Sequence, residues 1–80
     1  MNLSDEKLLI GIKHDDYTCY NHLFIRYYSR LCAFVNEVLN DRVLSEDVVQ
    51  ELFIKLWVAR KDIEIKESVS GYLFRAAKNA

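Results

Sequence analysis

Residues 17–40 read YTCYNHLFIRYYSRLCAFVNEVLN, and this stretch decides the fold. Tyr17, Tyr20, Phe24, Tyr27, Tyr28, Leu31, Val35, Val38 and Leu39 fall within about 60° of one direction at 100° per residue, the pattern of one long amphipathic helix. Its back carries Cys19, His22, Arg26, Arg30 and Glu37, which are expected to be solvated.

Upstream, Ser4 is placed to cap a short helix through about Ile12. Asp5 and Glu6 complement its positive end, and Leu8, Leu9 and Ile12 share one side. His14-Asp15-Asp16 reads as the connection, since Asp tolerates a left-handed conformation or caps the next helix. Downstream, Asn40-Asp41-Arg42 is a polar break. Ser45 is expected to cap a third helix running to about Arg60, with Leu44 and Val49 as a hydrophobic staple. Lys61 to Glu67 lacks helical periodicity and reads as a loop. Ser68 then caps a fourth helix with Val69, Tyr72, Leu73 and Ala76 along one side. No glycine or proline closes that helix before Ala80, so it is expected to be cut and the chain to be a fragment.

The composition agrees with an all-α fold, a compact bundle of three main helices plus a short N-terminal one. Of 80 residues 51% are apolar, proline is absent and glycine occurs twice, which disfavours both disorder and a turn-rich β fold. The expected shared core is Tyr20, Phe24, Tyr27, Leu31, Val49, Leu52, Phe53, Leu56, Tyr72 and Leu73. Apolar runs such as Leu8-Leu9-Ile10 are too short for membrane insertion or a secretory signal, so a cytoplasmic protein is expected. A net charge of −1 argues against holding duplex DNA by bulk electrostatics, so any nucleic-acid contact must be local.

The third helix carries two patterns. Val49, Leu52, Phe53 and Leu56 form an ordinary core stripe, and half a turn away lie Asp47, Gln50, Glu51, Ile54 and Val58. Aliphatics one turn apart, flanked by acids and an amide, make a ridge suited to a partner helix, although single exposed aliphatics are also common on ordinary surfaces. Trp57 lies at the boundary of the two faces and can serve either.

Catalysis and metal binding find little support. Cys19 and His22 are three residues apart, but His14 lies outside their helix and no second ligand pair follows at a zinc-site spacing, so neither a metal nor a cofactor is expected. Cys19 lacks a base with an orienting partner, and a small bundle offers little pocket, so the chain is not expected to be an enzyme. Cys19 and Cys32, roughly 20 Å apart along one helix, read as reduced thiols.

Asp47-Val48-Val49-Gln50-Glu51-Leu52-Phe53-Ile54-Lys55-Leu56-Trp57 resembles the region 2.2 helix of bacterial RNA polymerase sigma factors. Leu23-Phe24-Ile25-Arg26-Tyr27-Tyr28 is similar to region 2.1, and Gly71-Tyr72-Leu73-Phe74-Arg75-Ala76-Ala77-Lys78-Asn79 to the start of the DNA-contacting helix. Residues 1–80 thus look like region 2 of a sigma factor of the extracytoplasmic-function type, without the region 4 helix-turn-helix that reads the −35 element. Asp15 stands where the family often has glycine, and Cys19 where it has a small residue such as alanine.

The resemblance implies that Asp47, Gln50, Glu51 and Ile54 meet the clamp helices of the polymerase β′ subunit. It also implies that an unstacked base of the non-template strand at the −10 element enters a pocket between the third and fourth helices. By positional match Lys55, the 61–67 loop and Asn79 line that pocket, while Lys61, Arg75 and Lys78 join Lys55 as DNA contacts. An anti-sigma factor is a further implied partner. Without the resemblance Lys55, Arg75 and Lys78 would read as solvated helix surface. A helical adaptor that never touches nucleic acid would use the same third-helix ridge, but it has no need of Asn79 beside Arg75 and Lys78.

Overall fold

The computed structural model describes residues 3–80 and contains four helices: α1 (Asp5–Lys13), α2 (Tyr17–Leu39), α3 (Arg42–Val58) and α4 (Val69–Lys78). Each begins at a side-chain cap. Ser4 accepts from the Lys7 amide at 3.2 Å, Asp16 from Thr18 at 3.0 Å and Cys19 at 3.3 Å, and Ser68 from Gly71 at 2.9 Å. These oxygens satisfy amide donors that a helix start leaves without intrahelical partners.

The start of α3 departs from the sequence expectation. Asn40 adopts the left-handed conformation at φ 50° and ends α2, and the next residue, Asp41, is already the cap, accepting from the Leu44 amide at 3.0 Å. Ser45 is therefore inside the helix, 1% exposed, with its hydroxyl donating to the Asp41 carbonyl at 2.7 Å. The Leu44–Val49 staple does not form, because Leu44 sits within the first turn and stays 47% exposed while Val49 is buried. A one-residue left-handed reversal needs no longer linker, which is why the helix begins at Arg42, four residues earlier than a cap at Ser45 would allow.

The core forms where α2 meets the other three helices. Tyr20, Tyr27, Leu31, Val49, Leu52, Phe53, Leu56 and Leu73 are buried as expected, whereas Phe24 and Tyr72 pack against that core only partly. Leu23 is fully buried although it lies outside the aromatic stripe; α1 packs against α2, and its Leu8 and Ile12 are fully buried as well. Burying a leucine is worth roughly 1.5–3 kcal/mol, so the α1 brace matters to an 80-residue domain. The close approach has a specific requirement at Gly11, where an added Cβ would lie 2.4 Å from Cys19 Sγ. Asp5 fastens the other end of α1, accepting from Tyr27 Oη and from Arg26 at 2.7 Å, so Arg26 and Cys19 are not on a freely solvated face.

The stripe of α2 outruns its cover at both ends, leaving Tyr17 and Val38 exposed. Between α3 and α4 the chain has no regular structure, and Ile63, 8% exposed, ties this loop to the core. In α4, Val69, Leu73 and Ala77 are buried, with Tyr72 and Ala76 half-buried.

Candidate protein and nucleic-acid interfaces

The core stripe of α3 holds its opposite face outward along the whole helix. Asp47, Gln50, Glu51 and Ile54 are all exposed, Ile54 by 60%, and Val58 continues the ridge. Gln50 donates from Nε2 to Tyr28 Oη at 3.3 Å, and Glu51 lies 3.6 Å from Lys55 one turn on. The Asp47 carboxylate makes no ion pair or side-chain hydrogen bond among the described residues, so it is available to a partner. The structure adds Val43, 71% exposed and one turn before Asp47. Its helical spacing is legible in the sequence, but a cap at Ser45 puts it outside the helix.

Beside this ridge, α3 and α4 enclose an open groove of about 390 Å³. Leu52, Leu56, Tyr72 and Ala76 form its apolar floor, and Glu51, Lys55 and Asn79 supply its polar lining. Asn79 is the C-cap residue of α4, its backbone N–H returning to the Arg75 carbonyl at 3.1 Å while its amide side chain remains exposed. An apolar slot with a cation and an amide at its polar edge has the chemistry to hold a flat heterocycle and pair with its edge.

The other expected DNA contacts do not line this groove. Arg75 and Lys78 lie on the outer face of α4. Arg75 pairs with Glu67 at 2.6 Å, and Lys78 borders a small apolar cleft with Phe34, Val35 and Val38. Of the 61–67 loop, no residue reaches the groove; Ala59, at the end of α3, stands there instead.

Lys61 is drawn the other way. Its ammonium lies 3.0 Å from the Asp15 carboxylate and 2.5 Å from the Lys13 carbonyl. Arg60 reaches the same carboxylate from Nε at 2.8 Å while its guanidinium covers the Trp57 ring at 4.0 Å. Hydrogen bonds from Lys61 and then Arg60 hold the Asp15 carboxyl below the usual carboxylate range. Asp15 itself is left-handed, φ 66°, which explains why a residue tolerant of that conformation is needed in this turn. The latch was not legible because its partners are 45 residues or more away in the chain.

Trp57 is half-buried, with ring centroids 5.0 Å from Tyr20 and 5.4 Å from Tyr17, so it completes the aromatic end of the core. His14 Nδ1 lies 2.8 Å from the Ile10 carbonyl, Cys19 packs on Gly11, and His22 is exposed. Among the described residues no three His, Cys, Asp or Glu side chains converge as metal ligands. Burial pushes the Cys32 thiol up, the opposite of what an activated nucleophile requires.

The family model described as sigma-70 region 2 matches residues 23–80. The fold is also similar to the NMR structure of an engineered region 2 of sigmaE in complex with GTAAAA. The TM-score is 0.80 and the identity 31%, over 99% of this chain and 84% of that one. No curated protein matches the chain.

Proposed function

The chain belongs to the sigma-70 region 2 family, and from that premise we propose that it binds RNA polymerase core through α3 and helps open promoters by holding the non-template strand of the −10 element. The observation that carries this reading is the division of α3. One face is core, the opposite face is an exposed ridge, and the flank between them opens into the groove shared with α4.

Asp47, Gln50, Glu51 and Ile54 are the candidates for contact with the β′ clamp helices. A free carboxylate and a weakly engaged amide beside an exposed aliphatic suit a helix offering cations around an apolar centre. In the groove, Lys55 supplies charge toward phosphate, and Asn79 offers both a donor and an acceptor to a base edge. Arg75 and Lys78 follow the strand along α4, and Lys61, held by Asp15, sets the entry of the loop. The structural relative's ligand, GTAAAA, is a nucleic acid of the expected kind.

The work is binding rather than covalent chemistry: contacts with the separated strand offset the cost of unstacking. On this reading residues 1–80 are the region 2 module of an extracytoplasmic-function sigma factor, acting in the cytoplasm and open to control by an anti-sigma factor. No described helix is long and apolar enough to cross a membrane.

The test is capture of polymerase core by the chain carrying Asp47→Ala and Gln50→Ala. Both side chains are exposed, so helical content and melting should stay near wild type. Hot-spot truncations cost about 2 kcal/mol or more each, so capture should fall at least several hundred-fold if both contribute independently. Capture at wild-type strength refutes the assignment.

A further inference from the structure

Arg30 lies on the back of α2, away from its core stripe. It is exposed, and among the described residues no carboxylate pairs with it, in contrast to Arg26 one turn earlier, which Asp5 holds at 2.7 Å. Its guanidinium is nonetheless placed, 4.8 Å from the Tyr27 ring centroid and 5.8 Å from that of Phe74 on α4. Phe74 meets Phe34 edge-on at 5.2 Å, and Phe34 is one turn beyond Arg30. Lys78, one turn beyond Phe74, borders the cleft that Phe34 lines.

Two cations on different helices therefore flank one pair of half-buried aromatic rings. Arg75 stands on the same outer face of α4, between this pair and the groove side where Asn79 lies. The nearest acid further along this side of α2 is Glu37, seven residues on and so about 10 Å along the axis. Cations interleaved with aromatic faces are what a single nucleic-acid strand needs, charge for the backbone and rings for stacking. Placement by the rings also lowers the entropy that a free arginine would lose on meeting a phosphate.

We propose that Arg30 is a phosphate contact for single-stranded DNA, and that the strand leaving the α3–α4 groove crosses the outer face of α4 and continues onto α2. The inference rests on the DNA-binding reading above and adds to it a residue, a helix and a direction. The competing role is purely structural, with the arginine only shielding Tyr27 and Phe74.

The experiment is fluorescence anisotropy of the 80-residue chain on a GTAAAA strand extended by four thymidines at each end, across a salt series. Arg30→Met keeps an aliphatic stem over the rings and removes the charge, while Arg30→Lys keeps the charge. Loss of one phosphate contact should flatten the log–log slope by about 0.7 in the methionine variant, and the lysine variant should keep the wild-type slope. An unchanged slope in Arg30→Met overturns the proposal. So does an equal, salt-independent loss in both variants, which would mark a packing role. If the wild-type chain binds the strand at no salt concentration, the DNA-binding reading itself fails, and this proposal falls with it.

Discussion

Asp41→Ala should destabilise the domain more than Ser45→Ala, although Ser45 is the buried residue and the more familiar cap. The Asp41 carboxylate satisfies the Leu44 amide at 3.0 Å, and its removal leaves the positive end of a 17-residue helix without a side-chain acceptor. Loss of such a cap costs about 1 kcal/mol, within a range of about 0.5–2. Ser45→Ala removes a hydroxyl whose acceptor, the Asp41 carbonyl, still receives the Ser45 amide at 3.0 Å, and alanine fills nearly the same space. Its cost should be a few tenths of a kcal/mol. In a domain of this size 1 kcal/mol lowers the melting temperature by about 4–8 °C.

Thermal melting followed by circular dichroism, with urea titration as the second measure, separates the two variants. Val43 and Asp47 stand on the first two turns of α3, so fraying in Asp41→Ala should also weaken capture of polymerase core, by less than the Asp47→Ala, Gln50→Ala pair. If Ser45→Ala melts lower than Asp41→Ala, the cap assignment is wrong and α3 starts where the local sequence signal placed it.

Asp15→Asn keeps a residue tolerant of the left-handed turn and removes the charge facing Lys61 and Arg60. Because the folded carboxyl sits below its ordinary value, its stabilisation is present above that value and is lost as pH falls through the folded one. Urea midpoints of wild type and variant should therefore differ at pH 7 and converge in strong acid; a difference that grows on acidification contradicts the latch. Asn79→Ala should erase preference among −10 sequences in promoter opening with polymerase core present, each lost base contact being worth roughly 1–3 kcal/mol. Arg75→Ala with Lys78→Ala should instead weaken all single strands alike and flatten the salt slope by about 1.4. Base preference intact in the first, or an unchanged slope in the second, removes those residues from the DNA face.

Much of this protein is set by periodicity alone. The stripe of α2 and the opposed stripe and ridge of α3 come from helical spacing, which depends on the residues within each segment and on little else. The same holds for Ser4 and Ser68, whose capping bonds close within three residues. The features that the sequence could not determine depend on contacts between helices. Leu23 lies off the α2 stripe and is core only once other helices pack on α2, and Cys19 is half-buried where Gly11 lets α1 approach. Asp41 displaced Ser45 because the handedness of one residue, Asn40, set where α3 begins. Lys61 carries the same charge in either setting, yet the fold turns it to Asp15 across 46 residues of chain, while Lys55 and Asn79, 24 residues apart, share one groove. Local spacing assigns each side chain a direction on its own helix; only the packing of the helices decides what stands in that direction.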